Sequence, residues 1–202
     1  MNPARRIAFR IALGIVLAGA LALLAPAFGE SYGPARAFAI ARASGWLASI
    51  ALLGALVITP VRRLRRALGR PELGWLAALR RSFGIAAASC GLLHAGYSLA
   101  NVPGVVEALF ELGWLRAGIG AIALLSLLLA TSFDAVIRRL RLQHWAELHW
   151  LVYPAALLIA AHAVLGPAGS PVLELTFCLC VVLLLGLRLV ITRKRAASSI
   201  AE

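Results

Sequence analysis

Apolar and polar residues do not alternate along this chain; apolar residues come in long runs, separated by clustered arginines or by Pro, Gly and Asn. A helix of roughly 20 apolar residues crosses the ~30 Å hydrocarbon core of a bilayer. Six such segments are predicted: Ile7–Phe28, Phe38–Thr59, Ser82–Ala100, Ala117–Ile137, Trp145–Leu165 and Val172–Ile191. Pro60 is expected to stop the second, Asn101 and Pro103 the third, and Gly166 and Pro167 the fifth. The period-2 pattern of a barrel strand is missing, and Leu and Ala dominate, so helices are favoured. The expected fold is all-α: a polytopic membrane protein, a bundle of six transmembrane helices forming one membrane domain over 1–202, with short connections and antiparallel neighbours.

Composition agrees with this reading. The chain has 202 residues, 62% of them hydrophobic, and a mean hydropathy of +0.91. Soluble domains are about 45–50% apolar. Charge then sets the expected topology. All of the 20 basic residues except Arg36, Arg42 and Arg116 fall on one side of the six-helix frame, whereas Glu30, Glu107, Glu111 and Glu174 fall on the other. Lys and Arg favour cytoplasmic loops, so both termini are expected in the cytoplasm of a bacterial inner membrane. The net charge of +12 is divided among short loops at helix ends. It reads as topology and contact with anionic lipid, not as a nucleic-acid surface. Arg5 and Arg6 before an apolar run, then Ala25-Pro26-Ala27, resemble a signal peptide. The run is longer than a typical signal core, and the first helix is expected to be retained.

Cysteine chemistry adds little. Cys90, Cys178 and Cys180 all fall within spans and have no metal-ligand spacing; they read as packing residues with no disulfide. The histidines carry more information. His94, His149 and His162 lie inside apolar runs, and only His144 lies beside arginines at an edge. An ionisable side chain in lipid is disfavoured by a few kcal/mol and marks a functional site by default. A neutral imidazole is also a common haem ligand. The third and fifth segments run parallel. His94 is about 18 Å and His162 about 25 Å from their cytoplasmic starts at 1.5 Å per residue. They are expected at similar depth, facing each other. His149 lies about 20 Å nearer the cytoplasm, opposite Arg80. Thirteen residues do not return to one helix face, so only a distortion near Pro154 aligns His149 with His162. His144 reads as a solvated interfacial residue.

Four stretches resemble the ferric-reductase-like transmembrane domain and, more narrowly, the MsrQ (YedZ) family of haem-binding membrane subunits. They are Ala43-Ser44-Gly45-Trp46 leading to Val57-Ile58-Thr59-Pro60; Arg80-Arg81-Ser82-Phe83-Gly84 leading to Leu93-His94-Ala95-Gly96-Tyr97; Ala130-Thr131-Ser132; and Trp145-Ala146-Glu147-Leu148-His149-Trp150-Leu151-Val152-Tyr153 followed by His162. The resemblance covers the chain from the second segment to the sixth. One departure is Trp114-Leu115-Arg116-Ala117-Gly118, where the family usually begins its fourth helix with an Arg-Pro-Tyr-like sequence.

This resemblance implies a b-type cytochrome with one or two haems between the third and fifth helices. It implies that His94 and His162 are axial iron ligands and His149 an inner-level ligand. Arg80 stands where the related two-haem oxidases have a histidine, and pairing with a haem propionate suits its guanidinium. The resemblance further implies electrons from the quinone pool or from a flavin, with flavin mononucleotide as a further candidate cofactor. The implied partner is a periplasmic molybdenum-containing catalytic subunit, MsrP-like, that reduces methionine sulfoxide in oxidised proteins. No catalytic triad, Gly-rich nucleotide loop or soluble flavin domain stands out, so an electron-transfer subunit with a separate reductant and a separate catalytic partner is expected rather than a complete enzyme. The alternatives are a stand-alone ferric-reductase-like cytochrome with another acceptor, and a non-redox permease.

Overall fold

The computed structural model describes residues 33–71, 73–102, 104–140, 142–166 and 170–198, with Arg6, Arg10, Leu13, Gly14 and Leu17 before them. The expected first helix, Ile7–Phe28, lies outside the described residues except for four of these positions. The helices are α1 (Pro34–Ala67), α2 (Gly74–Asn101), α3 (Val105–Ala108), α4 (Gly113–Ala130), α5 (Asp134–Leu140), α6 (Leu142–Leu148), α7 (Val152–Leu165) and α8 (Pro171–Ser198). A 3-10 turn, His149–Leu151, joins α6 to α7. Five helical stretches among the described residues are long and apolar enough to cross a membrane: Pro34–Ala67, Trp75–Asn101, Gly113–Ala130, Gln143–Leu165 and Pro171–Arg188. The protein is a multi-pass, all-α membrane protein.

Three expected boundaries are corrected. Pro60 does not end its helix; α1 runs through it to Ala67. Proline removes one N–H and one i−4 bond, and the flanking turns are well packed enough to carry the helix on. The real stop is Gly69, at φ +64°. Its N–H bonds to Arg66 O at 3.1 Å and that of Arg70 to Arg65 O at 2.9 Å, the paired bonds of a Schellman cap. At the start of α2, the helix begins at Gly74, before the apolar run. Arg80 and Arg81 are therefore helical, and both line a cavity at that end of the bundle. The span expected over Ala117–Ile137 divides after Ala130. Thr131 and Ser132 hydroxyls donate back to Leu127 and Leu128 carbonyls at 2.9 and 2.6 Å. Trp145 Nε1–H takes the Thr131 carbonyl at 2.9 Å, an acceptor that a continuing helix would use.

α1 packs along α2, and α4 along α7; α2 also meets α4, and α8 covers α7 and α1. The core is built mostly from small side chains: Ala51 and Leu52 of α1, Ala87 of α2, Ala156 and Ala160 of α7, and Phe177 and Val181 of α8. Lipid is as apolar as leucine, so close backbone approach over alanines favours helix association more than hydrophobic contrast does. Leu173, Leu175, Leu179, Val182 and Leu183 of α8 point outward, as lipid-facing positions should. The C-terminal end of α1, the start of α2 and α5 together make an arginine-rich end. There Arg81 pairs with Asp134 at 2.6 Å and donates to the Ser132 carbonyl, tying α2 to the turn after α4.

Candidate functional site

His94 of α2 and His162 of α7 meet in the half of the bundle away from the arginine-rich end. Their ring centres are 6.1 Å apart and their planes cross at 75°. The expected juxtaposition is present. Each Nδ1 faces a backbone carbonyl: His94 that of Ala41 at 2.8 Å, His162 that of Trp114 at 2.9 Å. A carbonyl can only accept, so each Nδ1 must carry the proton and donate it. Both rings are thereby held in the tautomer that leaves an Nε2 lone pair for a metal, and the carbonyl bonds fix ring orientation as outer-shell partners of metal-ligating histidines do.

Two glycines make room for these rings. A Cβ at Gly118 of α4 would lie 2.8 Å from His162 Nδ1, and one at Gly45 of α1 would lie 3.2 Å from His94 Nδ1. The Trp114 ring packs 5.3 Å from the His162 ring, tilted by 42°. Two imidazoles sharing one metal through Nε2 have ring centres about 6.3 Å apart, given metal–nitrogen bonds of about 2.0–2.1 Å and about 1.1 Å from ring centre to nitrogen. The observed spacing fits. No group of three or more His, Cys, Asp or Glu side chains converges among the described residues, so a bare ion would find only two protein ligands here. A metal that brings its own equatorial donors, as haem iron does, needs only two. The residues present fit that group.

His149 lies nearer the arginine-rich end, in a cavity of about 240 Å³ shared with Arg80, Arg81, Ser132, Trp145, Tyr153 and Arg188. Its Nδ1–H donates to Trp145 O at 3.0 Å, its ring stacks on Trp145 at 4.0 Å, and Ser132 Oγ stands 3.5 Å from its Nε2. Arg80 lines the same cavity, so the two residues stand at one level, as expected from their depths. The 3-10 turn supplies the distortion that alignment required. Thirteen α-helical residues leave His149 and His162 about 140° apart; three at 120° each reduce this to about 80°. Both side chains then address the groove between α2 and α4. Pro154 accompanies the change, since it cannot donate to the carbonyl of Trp150.

His144 is exposed and bonds to Leu140 O at 3.2 Å, as an interfacial residue should. Cys90, Cys178 and Cys180 are all free thiols. Gly45, Trp114, Gly118, Trp145 and Tyr153 lie in the stretches compared with the family but have no site role in the sequence reading, which counts Arg188 only as a topology charge. The glycines are recognisable only once α1 and α4 are seen against the histidines.

Comparison with known proteins adds a family to this geometry. Residues 44–160 match the model of the ferric reductase like transmembrane component, a stretch that contains His94 and His149 and ends just before His162. The chain is 34% identical over 158 residues to the protein-methionine-sulfoxide reductase heme-binding subunit MsrQ of Deinococcus radiodurans, covering 74% of each chain. It is 30% identical over 138 residues to the protein of the same name from Ralstonia nicotianae, covering 66% of this chain and 61% of the relative. The chain belongs to the MsrQ family, within the ferric-reductase-like transmembrane proteins.

Proposed function

We propose that this chain is the haem-carrying membrane subunit of a methionine sulfoxide reductase system. It takes electrons from the quinone pool or a reduced flavin at its arginine-rich end. It delivers them at the other end to a periplasmic, molybdenum-containing catalytic subunit that repairs oxidised proteins. The observation that carries the reading is the His94–His162 pair, at metal-sharing distance with both Nδ1 protons committed to carbonyls. Family membership supports the same assignment, since two relatives are named as haem-binding subunits.

Haem b held there supplies an iron centre that exchanges one electron at a time. The chain's own residues do the rest. Ala41 and Trp114 carbonyls hold the two imidazoles in the ligating tautomer, and Gly45 and Gly118 let α1 and α4 close over them. At the inner level Trp145 orients His149 through its carbonyl and its ring, while Arg80 offers a charge for an acidic substituent. The two levels are about 20 Å apart by helical rise, which divides the bilayer crossing into shorter jumps. Positive charge at the arginine-rich end supports a cytoplasmic side for it in an inner membrane, and on that reading both termini lie on the same side and the His94–His162 pair lies toward the periplasm. The chain carries electrons and leaves sulfoxide chemistry to its partner.

The test is a redox titration in detergent, with a quinol or reduced flavin as donor. The expected result is a Soret band with resolved α and β bands on reduction. Protein from haem-sufficient cells that lacks a Soret band would contradict the proposal.

A further inference from the structure

We propose that the turn leading into α4 is the docking surface for a water-soluble, redox-active protein: an apolar patch centred on Phe110 and rimmed by Glu107 and Glu111. In taking that protein to be the molybdenum-containing catalytic subunit, the inference rests on the function proposed above. Large apolar side chains stand outward at this end of the bundle. Phe110 is 83% exposed, and Val106, Leu112 and Leu165 are exposed as well. Exposed apolar patches rimmed by polar residues mark interaction sites, and aromatic residues are enriched in the cores of protein interfaces.

Burial in lipid does not account for the patch. α4 begins at Gly113 and has 18 residues, about 27 Å at 1.5 Å per residue, which nearly fills the ~30 Å hydrocarbon core. Phe110 precedes that span and so lies beyond the hydrocarbon. Residues 104–112 carry two carboxylates, Glu107 and Glu111, and no cation. Anionic headgroups repel such a rim, whereas a protein with basic residues around an apolar face complements it.

The patch is tied to the His94–His162 pair. The Ala108 carbonyl accepts from the N–H groups of Glu111 and Leu112 at 3.2 and 3.0 Å, and the Leu112 carbonyl from those of Leu115 and Arg116 at 3.1 and 3.3 Å. These bonds fix the turn to the first turn of α4, which carries Trp114. The Trp114 ring lies 5.3 Å from the His162 ring, and its carbonyl accepts the His162 Nδ1–H. Beside the exposed Leu165, a Cβ at Gly166 would lie 3.5 Å from the Trp114 ring. A protein seated on the patch is thus linked to His162 through Trp114. One electron passes from ferrous iron to the oxidised centre of that protein; the iron becomes ferric, and no bond or proton moves. Two such transfers, with two protons taken up at the partner, reduce one sulfoxide to thioether and water.

The test uses full-length protein in detergent, as wild type, F110S, E107Q/E111Q and the control F38S, whose phenylalanine is exposed on α1. The probe is the molybdenum-containing catalytic subunit of the same organism, purified in its oxidised form. Its binding is titrated calorimetrically, and oxidation of dithionite-reduced haem is followed by stopped flow with the subunit and with ferricyanide, which needs no dock. F110S should weaken binding at least tenfold, the scale of losing an aromatic anchor, with the limiting oxidation rate and the ferricyanide rate unchanged. E107Q/E111Q should weaken binding about threefold and flatten its salt dependence, and F38S should match wild type. If F110S alters the haem spectrum, its fold is disturbed and E107Q/E111Q decides. The surface is overturned if wild type binds the subunit and F110S, or E107Q/E111Q in that event, binds it equally well, as it would if Phe110 rested in lipid. It is also overturned if F38S weakens binding as much as F110S. A wild type that does not bind the subunit would refute the partner reading and the surface together. A wild type without haem that binds through Phe110 would refute the haem reading and leave the surface standing.

Discussion

Replacing Gly118 by alanine should loosen haem binding without unfolding the bundle. The new Cβ would stand 2.8 Å from His162 Nδ1 and 3.0 Å from Cε1. Ordinary contact begins near 3.4 Å, so the ring must retreat by about 0.6 Å in a close-packed interior. The Nδ1···O bond to Trp114 is 2.9 Å long; stretched by that amount it is about 3.5 Å and no longer an effective hydrogen bond. Loss of such an outer-shell partner lowers metal affinity about 10–100-fold, equivalent to about 1.4–2.7 kcal/mol. Backbone propensity acts in the opposite direction, because alanine is favoured over glycine in a helix by up to about 1 kcal/mol. G118A should therefore stay folded while releasing haem faster, measured as transfer to excess apomyoglobin. G120A is the matched control on α4, since its Cβ meets only the flexible Leu158 Cδ1 at 3.2 Å. Equal release from G118A and wild type, or faster release from G120A, would refute the proposed role of Gly118.

Other outcomes follow from the same geometry. W145F removes the Nε1–H bond to Thr131 O and alters the stack on His149; it should perturb the inner level alone, seen as a spectral change that leaves the component lost in H162A untouched. The 75° angle between the His94 and His162 planes predicts a strongly anisotropic low-spin ferric signal in low-temperature EPR, and an ordinary rhombic signal would contradict near-perpendicular ligands. The Arg81–Asp134 pair is short but its side chains are 37% and 70% exposed. A double-mutant cycle with R81Q and D134N should give a coupling of less than about 1 kcal/mol in thermal unfolding, and a value several times larger would show that the pair is effectively desolvated.

Much of this site was legible in the sequence because depth in a membrane can be counted. Two parallel helices and a fixed rise per residue place His94 near His162 and His149 near Arg80 before any coordinates are known. What hydropathy could not supply was hydrogen bonding at helix ends. It read Pro60 as a stop, although the stop lies at Gly69, whose positive φ satisfies the last carbonyls. It carried the fourth span through Thr131 and Ser132, whose hydroxyls and carbonyls are taken by local bonds and by Trp145. Side-chain direction was out of reach for another reason. A 3-10 turn of three residues turns His149 toward the groove that His162 faces, and its position depends on packing around Pro154. Gly45, Gly118 and Arg188 act on partners more than 30 residues away in sequence, across helices whose rotation the apolar pattern leaves open.

The central claim is that His94 and His162 hold one haem iron between them. Its most direct test is the absorbance spectrum of full-length H94A and H162A, purified in detergent with and without added imidazole, beside H144A. Each of the first two should lose the same Soret component, imidazole should restore it in both, and H144A should match wild type. Full haem retention in either H94A or H162A, or loss of different components in the two, would contradict the claim.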